Sequence, residues 1–253
     1  MTIKEILIYL ACKYEGDWAS IYKAVAHKEL VDEEEVMKVN SKLGCNALIL
    51  LEPDYPESLK HCYHPPFVIF YKGDISLLNR DIVSVVGSRD VDDYGIEMTK
   101  KIVSELKNKD VVVCSGLAKG VDKAAHEEAL KNDIKTIAVL PTGIENCYPK
   151  ENYYLYKEIE EKGLIISEYP FDTKIEKKMF STRNRIIASL CKALVVTAVK
   201  QRSGTMVSVR YALEYGKDVY VVPYPATSDS FANTLIKEGA LLITEGNDIF
   251  EKF

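Results

Sequence analysis

Residues 82–89 read Ile82-Val83-Ser84-Val85-Val86-Gly87-Ser88-Arg89. The run is apolar almost throughout and stops at a glycine followed by a hydroxyl. A continuous apolar run, without polar alternation, is the pattern of a strand covered on both faces. Similar runs occupy Phe67–Tyr71, Val111–Cys114, Thr136–Leu140, Leu164–Ser167, Ala193–Val199 and Val219–Val222. Helical patterns lie between them. Tyr94, Met98, Ile102 and Leu106 fall four apart, and Met206, Val209 and Leu213 form another apolar stripe. Strand–helix alternation over about 180 residues predicts an α/β fold with a doubly wound, parallel sheet.

Upstream the texture differs. Ile3, Ile6, Leu7, Leu10 and Ala11 recur at helical spacing. Asp17 is placed to cap a helix through Trp18, Ile21, Tyr22 and Val25, and Asp32 with Glu35 resembles a capping box. Pro53, Pro56, Pro65 and Pro66 bar a continuous helix beyond. The expected division is a small helical domain over 1–60 and an α/β domain over 61–253. The first 60 residues carry seven basic and eleven acidic side chains, which makes them a poor DNA-binding face.

The chain has 253 residues, 47% hydrophobic and 28% charged, a globular composition that excludes disorder and fibrous repeats. No apolar run reaches the roughly 18 residues of a membrane span. The start shows no signal-peptide pattern. The expected compartment is the cytoplasm, where Cys12, Cys45, Cys62, Cys114, Cys147 and Cys191 would be free thiols. His61-Cys62-Tyr63-His64 lacks a second ligand pair at zinc spacing, so no metal or other cofactor is expected. Net charge is −5, yet residues 172–210 hold nine basic side chains against Asp172 and Glu176. That +7 leaves −12 for the rest, and a concentrated basic stretch is a candidate anion site.

Ligands of open α/β sheets bind beyond the carboxyl ends of the strands. The loops there are Gly87-Ser88-Arg89, Ser115-Gly116-Leu117-Ala118-Lys119-Gly120, Thr142-Gly143 and Ser203-Gly204-Thr205. Glycine admits close approach, hydroxyls donate, and the following helices offer free N–H groups, so the four loops describe a phosphate-binding rim. The first loop is not G-x-G-x-x-G, and acidic Asp90, Asp92 and Asp93 stand where a pyrophosphate would lie. A P-loop pattern is absent too.

The combination of Val86-Gly87-Ser88-Arg89, Ser115 to Asp122 with Ala125-His126, Ser167-Glu168-Tyr169-Pro170, Phe180 to Ala188, Ser203-Gly204-Thr205 and Asn233 to Ile236 with Gly239-Ala240 resembles the DNA-processing protein A family, DprA or Smf, over about residues 53–253. The resemblance implies an extended Rossmann-like, mostly parallel sheet. It implies a cytoplasmic, non-enzymatic protein that binds single-stranded DNA and forms a homodimer. It also implies protection of single strands and help in loading the RecA recombinase, in natural transformation and homologous recombination. Carried over, Arg89 and Lys177 would contact DNA, with Lys178 a neighbouring candidate and Phe180 packing near the bases. Arg183 and Arg185 lie in the matched R-N-R, and Arg185 is equally suited to tying helix to sheet. Gly87, Ser88, Ser115, Gly116, Lys119, Ser203, Gly204 and Thr205 complete the expected phosphate rim. Charge and a π-face within one short segment are what single-strand binding asks for. His126 is expected to be a packing residue, Asp122 a cap, and Tyr148-Pro149 a turn. The family's winged helix is not matched before the chain stops at Phe253.

An alternative is a LOG-like nucleotide-binding or nucleotide-hydrolysing protein, whose P-G-G-x-G-T-x-x-E loop would align with Arg202 to Ser208. Its glutamate position is Ser208 here, which removes the carboxylate that hydrolysis would use. A nucleotide sensor without chemistry is a third reading of the same rim.

Overall fold

The first three helices start on caps written in the sequence. In the computed structural model, which describes residues 1–171 and 173–251, α1 (Ile3–Lys13) begins with a reciprocal box between Thr2 and Glu5. The Asp17 carboxylate accepts the Ser20 N–H at 3.0 Å to open α2 (Trp18–Ala26), and Asp32 does the same for Glu35 at the start of α3 (Glu33–Ser41). Glu35 does not reciprocate; its carboxylate accepts the Tyr9 hydroxyl at 2.7 Å, pinning α3 to α1. Asp172 lies outside the described residues, as do Lys252 and Phe253.

Next comes β1 (Asn46–Ile49), a strand where helices alone were expected, then the short α4 (Glu57–Lys60) and β2 (Val68–Gly73). The alternating unit follows as β3 (Asp81–Gly87), α5 (Asp93–Ser104), β4 (Val111–Ser115), α6 (Val121–Lys131), β5 (Thr136–Val139), α7 (Tyr153–Lys162) and β6 (Leu164–Ser167). It continues with α8 (Lys177–Leu190), β7 (Ala193–Ala198), α9 (Gly204–Glu214), β8 (Asp218–Val221), α10 (Ala232–Lys237) and β9 (Leu241–Leu242). All seven expected runs are strands, and they bury because both faces of the sheet are covered.

The described strands form one nine-stranded sheet in the order β1-β2-β6-β5-β4-β3-β7-β8-β9. From β6 to β9 every pairing is parallel; β2 is antiparallel to both β1 and β6. Helices α5, α6 and α7 pack in one layer, and α8 and α9 in the other. One core lies about β3, β4, β7 and β8; a second joins α1, β1, β2, β5, β6 and α7, so the N-terminal helices share a core with the sheet edge. Full burial of each valine or isoleucine of β3 contributes about 1.5–3 kcal/mol. One expected apolar stripe differs: Val209 of α9 is buried, but Leu213 faces solvent.

Candidate nucleic-acid interface

The chain winds outward from β3 through β4, β5 and β6, then returns to lay β7 on the other side of β3. The strand order therefore reverses between β3 and β7, and their carboxyl ends diverge there to leave a crevice. A cavity of about 620 Å³ occupies it. Its walls are the loop after β3 (Gly87, Ser88, Arg89), α8 (Lys177, Phe180, Arg183, Asn184) and the start of α9 (Ser203, Gly204, Thr205).

Most loop glycines answer to packing within the protein. A Cβ on Gly87 would stand 2.4 Å from the Val121 side chain, and one on Gly116 only 2.2 Å from the Arg183 guanidinium. Gly120 combines φ +74° with a backbone oxygen of Ser88 2.4 Å from where its Cβ would be. Gly204 is different, since a Cβ there would meet nothing within 4 Å. The next element explains its interest. Ser203 turns its hydroxyl to the Lys200 carbonyl at 2.7 Å and leaves α9 without a side-chain cap. First-turn N–H groups of α9 are thus available at the cavity wall, with the positive end of the helix dipole behind them.

Two buried groups of opposite charge line the interior. Arg183 donates to the carbonyls of Gly116 (2.6 Å) and Val139, and to the Asn184 side chain at 3.0 Å. Asp122 accepts the Ala118 N–H at 3.4 Å; burial pushes its pKa up, against the pull of Arg183. At the mouth the Arg89 guanidinium lies over the Phe180 ring, 4.4 Å from its centroid, and Tyr148 meets that ring edge-on at 5.9 Å. Arg89 and Lys177 are exposed and form no ion pair among the described residues, whereas Lys200 is bound to Asp90 at 3.0 Å. An exposed ammonium and an aromatic ring covered by an exposed guanidinium stand together at one opening.

The other expected residues lie apart from the cavity lining. The Ser115 hydroxyl donates to the Val85 carbonyl at 2.7 Å, inside the sheet. Gly116 acts through its carbonyl on Arg183. Lys119 pairs with Glu151 at 3.1 Å and Lys178 with Glu176 at 3.0 Å, both on the surface. Arg185 is buried against Glu168 at 2.6 Å and donates to the carbonyls of Tyr63 (2.9 Å) and His64 (2.7 Å). Sequence reasoning took Tyr148 only as a turn residue, passed over Asn184, and read Ser208 only as the place of a missing glutamate; all three line the cavity. The spacing of Asn184 from Phe180, one helical turn, was a signal for Asn184. Nothing local in the sequence pointed Tyr148 at Phe180.

The family described as "DNA recombination-mediator protein A" matches residues 46–253. The DNA processing protein DprA of Streptococcus pneumoniae is 42% identical over 207 residues, covering 81% of this chain and 73% of that protein. The X-ray structure of DNA processing protein A from Streptococcus pneumoniae superposes with a TM-score of 0.83 at 34% identity, over 100% of this chain and 93% of that one. The DNA processing protein A of Helicobacter pylori, whose structure was solved for its single-stranded DNA binding mode, superposes with a TM-score of 0.74 at 30% identity, over 84% and 96%.

Proposed function

The chain belongs to the DNA recombination-mediator protein A family, and from that premise we propose that the crevice between β3 and β7 binds single-stranded DNA without chemistry. The observation that carries the reading is the Arg89–Phe180 pair beside Lys177 at the cavity mouth. Lys177 and Arg89 neutralise phosphates, and as Arg89 turns to a phosphate the Phe180 face it covers opens to a base, so the site favours unpaired strands with little sequence preference. The uncapped start of α9 and Ser88 add neutral donors for phosphate oxygens. Ser208 lines the cavity at the position where a LOG-like hydrolase would carry its glutamate, which supports a role in holding rather than cutting. Family membership supports the wider role: protection of exposed or incoming single strands, delivery to the RecA recombinase, action as a homodimer, and a place in transformation and recombination.

The test is fluorescence anisotropy with labelled oligothymidylate and its duplex across a salt series. The single strand is expected to bind more tightly, with affinity falling as salt rises. Arg89→Ala should weaken binding alike on all sequences and reduce the log–log salt slope by roughly 0.7, one single-strand phosphate. An unchanged affinity and slope would remove the cavity from the reading. Phe180→Ala should cost roughly 1–3 kcal/mol of binding with stability nearly preserved, because the ring is only half-buried. Collapse of the fold instead would make Phe180 a core residue.

A further inference from the structure

A second set of rings lies on the other side of α8. Trp18, the first residue of α2, lies flat against His64, with centroids 3.9 Å apart and planes 9° apart. Tyr22 stacks on the same indole at 5.0 Å and 10°, and Tyr63 stacks on His64 at 3.8 Å and 26°. Phe67 also packs on Trp18, at 5.5 Å and 30°, and the outer rings of the series, Tyr63 and Tyr22, are exposed. Tyr63 is 59% exposed and Tyr22 54%, and the one ring contact of Tyr63 among the described residues is with His64.

The fold spends stability to hold this arrangement. His64 sits at φ +51°, the left-handed region that a side chain disfavours. It is kept there from both sides of the chain. Arg185 donates to the carbonyls of Tyr63 and His64, the Trp18 Nε1–H donates to the Pro65 carbonyl at 2.9 Å, and the Tyr63 N–H donates to the Tyr215 hydroxyl at 3.1 Å. A rigid, exposed ring on a strained loop is a prepared contact surface. The rings also connect to the cavity. Lys177 and Arg183 of α8 line the cavity, and Arg185 of the same helix holds the carbonyls of Tyr63 and His64. One helix therefore carries both a wall of the cavity and the loop that presents the column.

We propose that the open face of Tyr63 is a second stacking platform, on which an unpaired base of the strand leaving the cavity rests. The proposal depends on the cavity being a single-stranded DNA site. A flat ring set at the end of a parallel stack matches a flat partner, and an unpaired base extends the series by one member. The stack tolerates any base, as the cavity does.

Strand length separates the two sites. Oligothymidylates of about 6 and about 16 nucleotides span the cavity alone and the cavity with the column. Tyr63→Ala should lose roughly tenfold or more in affinity for the longer strand and nothing for the shorter. Tyr63→Phe keeps the ring and should bind both as the parent does. Trp18 is the chain's single tryptophan, so its emission should change with the longer strand and not with the shorter. Equal affinity of Tyr63→Ala and parent for the longer strand overturns the platform, as does an equal loss on both lengths. Arg89→Ala, run alongside, should weaken both lengths; if it weakens neither, the cavity reading falls with the platform, whereas a loss with Arg89→Ala alone leaves the cavity standing and the platform refuted.

Discussion

Arg185→Ala is expected to destabilise the fold by about 3–5 kcal/mol, the usual cost of stranding one member of a buried ion pair. Arg185 and Glu168 are both almost wholly shielded, with side chains 2% and 5% exposed and atoms 2.6 Å apart. The second carboxylate oxygen of Glu168 already lacks a hydrogen-bond partner. Removing the guanidinium leaves that charge buried and unanswered. It also frees the carbonyls of Tyr63, His64 and Thr182, which Arg185 now satisfies. Urea denaturation at neutral pH measures the loss. The double variant Arg185→Met with Glu168→Leu should recover much of it, because it removes both charges and keeps volume. A single-variant loss below about 1 kcal/mol would mean that water reaches the pair.

Acid should weaken the protein through His126, and the direction follows from its hydrogen bonds. The Thr136 hydroxyl spends its proton on the Val113 carbonyl, so it accepts from the His126 Nδ1–H at 2.7 Å. Nε2 is then the bare nitrogen, and it is buried with no partner. Protonation would put a charge there, without solvent and near the Arg183 guanidinium. Burial first, and Arg183 second, push the pKa of His126 down from 6.5 to about 3. Between those values the unfolded chain binds the extra proton. The stabilising contribution is therefore complete above about pH 6.5 and is lost toward pH 3, at up to about 1.4 kcal/mol per pH unit. His126→Gln should have a pH–stability profile shallower by one proton in that window. Parallel profiles for the two proteins would refute the assignment.

The parts of the fold legible in the sequence were those where burial leaves a one-dimensional trace. Val83, Val85, Val112, Val113 and Val195 have no exposed surface, and their strands read as continuous apolar runs. Two strands escaped. Leu241–Leu242 has only two residues, and the apolar Ala47, Leu48 and Ile49 follow three helical patterns, outside the strand–helix alternation that marked the other runs. In the site, the glycine loops were visible, but not what each glycine is for. Gly116 makes room for Arg183, which is 67 residues further along the chain. Arg183 and Arg185 are two apart in an alternating motif, and spacing alone could not say that one lines the cavity while the other anchors the loop at Tyr63. Tyr63 and His64 were weighed only as part of a metal-like cluster and set aside, because the ring that sorts them, Trp18, comes from another part of the sequence.

The placing of β7 bears on how the protein comes to be made. Its neighbours in the sheet are β3 and β8, so β3 emerges from the ribosome long before one of its two partners exists. Until synthesis passes Ala193, the hydrogen-bonding edge that β3 will give to β7 is open, and it is the apolar centre of the future sheet. A nascent chain arrested after β6 presents that edge to any strand at hand, its own copies included, which is a route to aggregation. The binding crevice has no precursor in such a chain, because two of its three walls, α8 and the start of α9, have yet to be translated.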